Sequence, residues 1–541
     1  MKKAFLFIIF IVFSFNQLQA QEKLSDIAKI ATFAKVYGFL KYYHPVVAKG
    51  NYNWDQVFID KLPEVLNTTD GPSLSAFYSN WIDSLGEVEA CTTCHTTYEF
   101  FDKNFNLSWT QSLSVFDQKL RDQLKYIEEN RVQGEQHYVA TQSVGQIKIT
   151  NEPKYTDFDY PTADYRLLGF IKYWNIIEYF FPYKYLADQN WDEVLIEMIP
   201  KFRQASNQEE YRNAIRELIA HLDDSHARVI FESSQPNYLP VKISNIDNQA
   251  VISAYFNDSI AHLNNLKMGD IIVEINGLNI QDEKDRLAKY YSGSNANAKS
   301  ESIYYDLLKG ESNTVALTVK RADETLSLTA NRYAPDDFNF YDNPKALKSK
   351  VINNDIGYMD MANIKAKDLL EILDSFQDKK AIIIDLRNYP EFIYSLFGRY
   401  LNSESRAFSS TFRPYILYPG RFSKPKNISM RGGKSTFKGK VIILVNSESV
   451  SRAEFTAMAF QTADNAITIG NQTTGADGDV SVFQYMGGYT TTMSGNGIAY
   501  PDGTESQRKG VKIDILVKPT IAGLRKGIDE VLAKAIEIAS N

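Results

Sequence analysis

Cysteine is nearly absent from this chain of 541 residues, which holds only Cys91 and Cys94. Followed by His95, they form Cys-x-x-Cys-His, the spacing that attaches a c-type haem. A single copy in a Thr-rich stretch, with no designated second axial ligand, reads more simply as a local disulfide or thiol pair pinning a loop in an oxidising compartment. Long apolar runs are also missing. The run at residues 4–15 falls short of the roughly 20 residues a helix needs to cross a bilayer, and no later stretch is apolar for long enough, so a soluble mature chain is expected. A basic stripe is not expected either: the net charge of −7 reads as spread along the chain, which leaves nucleic-acid binding without support. His221 lies five residues before His226, but no Glu, Asp or Cys joins them at ligand spacing, so no metal site is expected.

What is present begins with two lysines, the short apolar run and a small-residue ending at Ala20, the three parts of a secretory signal peptide. Its removal leaves about 520 residues, enough for about three domains, and 44% hydrophobic content supplies each with a core. Residues 24–135 carry helical spacing, as in Ile27, Ile30, Phe33, Ala34 and Tyr37. An internal repeat follows. Phe33, Pro45, Asn53-Trp54-Asp55 and Pro63 match Phe170, Pro182, Asn190-Trp191-Asp192 and Pro200 without a gap, which reads as a duplicated helix-turn-helix with Trp as core anchor and Pro ending the helices. His44 falls opposite Phe181 and is expected to be structural.

Between 237 and 332 short β-rich runs separated by Asn, Asp and Gly signal a small β-domain. From 355 onward strands and helices alternate. The short apolar runs at 356–359, 381–386 and 441–445 read as buried parallel strands of an α/β layer structure, and 521–539 as one amphipathic helix.

Three segments carry chemistry: Asp224-Ser225-His226-Ala227; Asp385-Leu386-Arg387-Asn388-Tyr389-Pro390-Glu391 after a buried strand; and Asn446-Ser447-Glu448-Ser449-Val450-Ser451-Arg452-Ala453-Glu454, joining a strand to a helix and followed by Gly470 and Gly475. With Gly510-Val511-Lys512-Ile513-Asp514-Ile515, they resemble the tail-specific, or C-terminal-processing, serine peptidases over about residues 160–535. The run Leu266-Lys267-Met268-Gly269-Asp270 through Asn276-Gly277 resembles the strand-turn signature of bacterial PDZ domains, modules that bind extended peptide ends by strand addition. A serine hydroxyl needs a base within reach, and its oxyanion needs preorganised N–H donors. Ser451, where a strand meets a helix, is the expected nucleophile, with the N–H of Arg452 aimed at the oxyanion.

Two departures shape the mechanism that the resemblance implies. The main bacterial branch carries a general-base lysine in Thr-Phe-Gly-Lys, but this chain reads Thr473-Thr474-Gly475-Ala476, so a Ser/Lys dyad cannot form there. The branch resembling the tricorn core peptidase uses a histidine preceded by a serine. His226 becomes the expected base, active while neutral and lost below about pH 6.5, with Ser225 positioning its other ring nitrogen. That branch also needs an acid, for which Glu505 is the candidate, although Gln507 occupies the matching position. The family's Asn-Pro-Gly-Gly oxyanion turn is here Asn388-Tyr389-Pro390-Glu391, leaving the backbone of Tyr389 or Glu391 to donate, while Asp385 and Arg387 read as structural.

The expected architecture is α/β: a signal peptide (1–20), an N-terminal helical domain (21–155), a first catalytic part carrying His226 (156–235), an inserted PDZ-like β-domain (236–335) and a crotonase-like catalytic α/β domain (345–541). The expected function is a periplasmic or secreted serine peptidase that needs no cofactor, forms an acyl-enzyme at Ser451 and takes protein or peptide substrates whose free C-termini reach a sheet-edge groove near 237–260. Its rivals are a peptide- or ligand-binding protein on the same fold and a periplasmic haem protein.

Overall fold

A computed structural model describes residues 24–94, 98–231, 236–338, 347–434 and 436–541; the signal peptide and His95 lie outside them. The chain starts with α1 (Asp26–Tyr43) and α2 (Trp54–Leu66), passes through a hairpin of β1 (Val139–Thr141) and β2 (Ile147–Ile149), and repeats the first pair as α3 (Ala163–Phe180) and α4 (Trp191–Gln204). Asn53 and Asn190 cap the second helix of each pair with a side-chain oxygen, accepting from Gln56 N–H and Asp192 N–H. The anchors behave as expected of core residues: Trp54 stacks on Tyr37 at 5.3 Å and Trp191 on Trp174 at 6.4 Å. The prolines do not. Pro63 and Pro200 sit inside α2 and α4, each of which continues beyond it. Gly38 lets the repeats cross closely, since a Cβ there would lie 1.7 Å from Asn175 Oδ1, and Asn175 Nδ2 donates to Ala34 O across the crossing (3.1 Å).

Next come α5 (Gln208–Ala220) and β3 (Arg228–Ile230). A single apolar cluster runs from Ile30 to Ala227 and also takes in Phe412, Phe483, Tyr485 and Met493. The segment 236–335 builds its own antiparallel sheet from β4 (Val241–Ile246), β5 (Gln249–Tyr255), β6 (Ile271–Ile275), β7 (Thr314–Arg321) and β8 (Glu324–Asn331), in the order β8-β7-β6-β5-β4, with α6 (Ala296–Leu308) beside the edge strand β4. Its core, around Val241, Ile252, Ile272, Leu317 and Val319, is separate from the others.

The remaining chain supplies β9 (Ser349–Ile352), β10 (Ile356–Asp360), α7 (Ala366–Ser375), β11 (Ala381–Asp385), β12 (Arg406–Phe412), β13 (Lys426–Met430), β14 (Lys440–Val445), α8 (Arg452–Phe460), β15 (Ala466–Gly470), β16 (Val480–Tyr485), β17 (Tyr489–Ser494), β18 (Gly497–Ala499), β19 (Ile515–Leu516), α9 (Ile521–Lys526) and α10 (Glu530–Ser540), and six of these strands form a mostly parallel sheet. The sheet order is β9-β10-β11-β14-β15-β19, antiparallel only at β9. Alternation shows why these strands are apolar throughout. Ile382, Ile384, Ile443 and Val445 pack toward α7 and α8, while Ile383, Ile442 and Leu444 pack toward Val531, Ala535 and Ala539 of α10. The single helix expected at 521–539 is two, because Gly527 adopts φ 67° and ends α9 in a left-handed cap.

Two smaller sheets frame the site: β13-β12-β18, and β16-β17-β3, which joins the strand after His226 to the segment before Gly495. No helix of the described residues is long and apolar enough to cross a membrane.

Candidate active site

Ser451 ends the loop after β14 and precedes α8, with φ 54° and ψ −113°. A side chain-bearing residue in that region carries about 1–3 kcal/mol of strain, so neighbours must hold it there. Glu454 does most of this. Its carboxylate, fully buried, accepts the N–H groups of Ser451 (3.1 Å), Gly475 (2.8 Å) and Ala476 (3.0 Å) and the Thr473 hydroxyl, while Ala476 O also accepts from Ser451 N–H (2.9 Å). Burial pushes the Glu454 carboxyl up to about 7, against the pull of those hydrogen bonds. Behind the turn, Gly470 is placed where a Cβ would meet Val445 O at 1.8 Å, and its φ of 147° admits only glycine comfortably. Ser449 Oγ donates to Leu386 O (2.7 Å), binding the turn to the end of β11.

His226 follows α5 and is half-buried. Its Nδ1 meets Ser494 Oγ at 2.9 Å, and Ser494 Oγ meets Asp224 Oδ1 at 3.0 Å. Asp224 also accepts the N–H groups of Ser494 (2.8 Å) and His226 (3.1 Å) and the Gln507 amide (3.2 Å). A carboxylate filled by donors meets a hydroxyl as acceptor, so the Ser494 proton points at Asp224 and its lone pair faces the ring. The ring must then carry its proton on Nδ1, which leaves Nε2 as the basic nitrogen. Burial lowers the His226 pKa, partly offset by the Asp224 charge.

The segment 473–479 touches both parts. At one end it is held by Glu454 beneath Ser451; at the other, Asp479 O accepts from Gly495 N–H (2.7 Å), next to Ser494. Asn295 Nδ2 donates to Thr473 O and Thr474 O, its neighbour Ser294 contacts Ser225, and Arg508 N–H donates to Gly475 O (2.7 Å). No hydrogen bond joins the Ser451 hydroxyl to His226 among the described residues; catalytic hydrogen bonds of a resting site often tighten only around substrate.

Two expected roles need correction. Ser225 does not face the ring: its Oγ accepts Ser294 N–H (2.9 Å), because the residue next to His226 points to the opposite side of the loop, and Ser494 takes the position beside Nδ1. Glu505 is held elsewhere, by the Tyr185 hydroxyl (2.7 Å) and Lys103 (3.2 Å), while buried Gln507 reaches Asp224 instead. The turn at 388–391 does adjoin the serine. Arg452 lays its guanidinium 5.1 Å from the Tyr389 ring and 5.7 Å from that of Phe392 and donates to Pro390 O (3.4 Å), while its own N–H, first in the helix, has no intrahelical acceptor. The Glu391 side chain turns away to Lys365 (3.5 Å). Arg387 pairs with Asp385 (2.6 Å) and Asp529 (2.8 Å), fastening this turn to α10. Cys91 and Cys94 form a disulfide, which leaves neither sulfur for haem attachment.

Residues 355–517 match the model of peptidase family S41. This segment belongs to that family. The S41 match places this segment among the serine-type peptidases, which are hydrolases, in keeping with the tail-specific resemblance of its motifs. No curated protein matches the chain. Among solved structures, mature CPAF complexed with lactacystin is similar at 15% identity and a TM-score of 0.56, over 70% of this chain and 98% of that one. Mature CPAF alone is similar at 14% identity and 0.54, over 69% and 96%. At such identity these two show the fold. Ser494 and the bracing role of Glu454 escaped the sequence reading: Thr492-Met493-Ser494 has no motif, and only strand pairing places it beside His226.

Proposed function

We propose that the chain is an exported serine peptidase that cleaves peptide bonds through an acyl-enzyme at Ser451. His226 Nε2 accepts the Ser451 proton as Oγ attacks the carbonyl carbon, and returns it to the leaving amine. Water, deprotonated by the same nitrogen, then releases the acyl group. Asp224 and Ser494 hold the imidazole and stabilise its charged form. The N–H of Arg452, at the start of α8, and backbone N–H groups of the 389–391 turn receive the oxyanion. The observation that carries this reading is the strained Ser451, held by Glu454 at the head of a helix, across the 473–479 segment from a histidine whose tautomer is fixed.

The sheet at 236–335 we read as PDZ-like and the parallel sheet as crotonase-like, with substrate ends laid along edge strand β4. Contacts with the nucleophile turn support a presenting role: Lys242 pairs with Glu448, and Ser447 Oγ donates to Glu301 of α6 (3.1 Å). Export rests on the leader at 1–20 and suits a disulfide, which persists in oxidising compartments. The rival, a binding protein on the same fold, rests on Ala476 and on the loss of glycine from the 388–391 turn.

A fluorophosphonate probe with mapping of the modified residue decides between them, together with Ser451→Ala kinetics. The expected result is label on Ser451 and hydrolysis reduced by several orders of magnitude with substrate binding kept. Absence of label with peptide binding intact favours the binding protein.

A further inference from the structure

Charge is less even than the composition implies. Between Ser405 and Ser447 the chain has nine Lys or Arg residues and no Asp or Glu, within a protein of net charge −7. Part of this stretch, β12, β13 and the loop between them, walls a cavity of about 870 Å³ closed on its other side by residues 134–145. Arg413, Lys424 and Lys426 line it, and no acidic side chain does. Lys424 pairs with exposed Glu99, an ion pair worth little in water, while Arg413 and Lys426 have no acidic partner among the described residues. Gln142, Ser143 and Asn427 add hydrogen-bonding groups to the lining, and Pro414, Ile416 and Leu417 give it an apolar floor.

The cavity shares a wall with the site. Thr411, which lines it, pairs with Ile498 of β18, four residues beyond Ser494. Gly145 packs on Arg413, and Gly495, next to Ser494, packs on Gln146. Four residues span at most roughly 13 Å, the break at Gly495-Asn496 shortens that, and one strand spacing adds about 5 Å, so the cavity lies within a few peptide residues of Ser494.

We infer that this cavity is a substrate subsite for acidic peptide segments. The inference rests on the peptidase reading above and deepens it by naming a substrate class. Arg413, Lys424 and Lys426 attract carboxylates a few residues from the cleaved bond, while the apolar floor takes the intervening side chains. Such charges act mainly on recognition and association rate.

The test uses the full mature chain and a peptide series in which Asp-Glu pairs are stepped along a neutral sequence, with Asn-Gln and Lys-Lys controls. Wild type is expected to cleave the best-placed acidic peptide with a kcat/KM about tenfold above the neutral one, from a few exposed charge contacts together. Arg413→Glu with Lys426→Glu, both exposed positions, should abolish or reverse that order. Equal rates for acidic and neutral peptides, or a preference that survives the double change, would overturn the subsite. Binding of the same labelled peptides to the Ser451→Ala protein decides the matter separately. If wild type cleaves none of them, the peptidase reading fails, yet acidic preference in the binding arm still upholds the cavity and its absence still refutes it. Tighter binding of a single-stranded oligonucleotide than of the acidic peptide would also overturn the inference.

Discussion

Ser494 and Asp224 between them determine which nitrogen of His226 carries the proton, and neither could do so alone. Without the Ser494 hydroxyl the ring loses its Nδ1 partner, and the fraction with Nε2 free and correctly aimed falls. Ser494→Ala should therefore lower kcat by about a hundredfold with KM little changed, the range for loss of one element of general-base catalysis. Glu505→Gln should stay within about twofold of wild type, because that carboxylate contacts Tyr185 and Lys103. Equal losses in the two variants would restore Glu505 to the site. The pH profile adds an independent reading. A base must be neutral to act, and burial lowers the His226 pKa, so activity should persist below pH 6.5 instead of failing there, and the acid limb of kcat/KM should lie under the ordinary imidazole value.

At the scale of elements, the close crossing of α1 over α3 depends on Gly38, and Asn175 fills the room that glycine leaves. Gly38→Ala forces the Asn175 amide aside and should cost about 1–3 kcal/mol, the usual range for overpacking. Asn175→Ala loses two hydrogen bonds but opens space for a methyl group. The double variant should then be less destabilised than the sum of the singles, measured by urea unfolding; strict additivity would mean that the residues do not meet. This crossing was half legible in the sequence. The repeat, its Asn caps and Trp anchors follow from local spacing, as do the buried strands around Ile383 and Ile443, because a strand apolar on both faces leaves a continuous run. What stayed hidden depended on pairing between distant segments. Strand β17 delivers Ser494 to His226, residues 411–428 meet residues 134–145, and the loop after β18 turns Glu505 toward Tyr185 and Lys103, none of which has a local signature.

Across the whole molecule, buried ionisable groups set opposing pH trends. His44 is fully buried, and neither ring nitrogen has a partner among the described residues; burial pushes its pKa down to about 4. Between pH 4 and 6.5 the unfolded chain binds a proton there that the folded one excludes, so this residue's contribution to stability rises with pH and is lost as pH falls, by about 3 kcal/mol over the window. Glu454 acts in the other direction. Its pKa is raised to about 7, so the folded chain holds the extra proton between pH 4.5 and 7 and stability falls as pH rises, by a similar amount. Over their shared range these two contributions nearly cancel. Phe181, the counterpart of His44 in the second repeat, shows that an uncharged ring suits this helix end. His44→Phe removes only the first trend. The difference in unfolding free energy between the variant and wild type should thus shift by about 3 kcal/mol in favour of the variant as pH drops from 7 to 4. Urea unfolding of both proteins at several pH values measures this difference directly, free of every titration they share. Parallel profiles would mean that His44 is protonated in the folded state and that its nitrogens have partners.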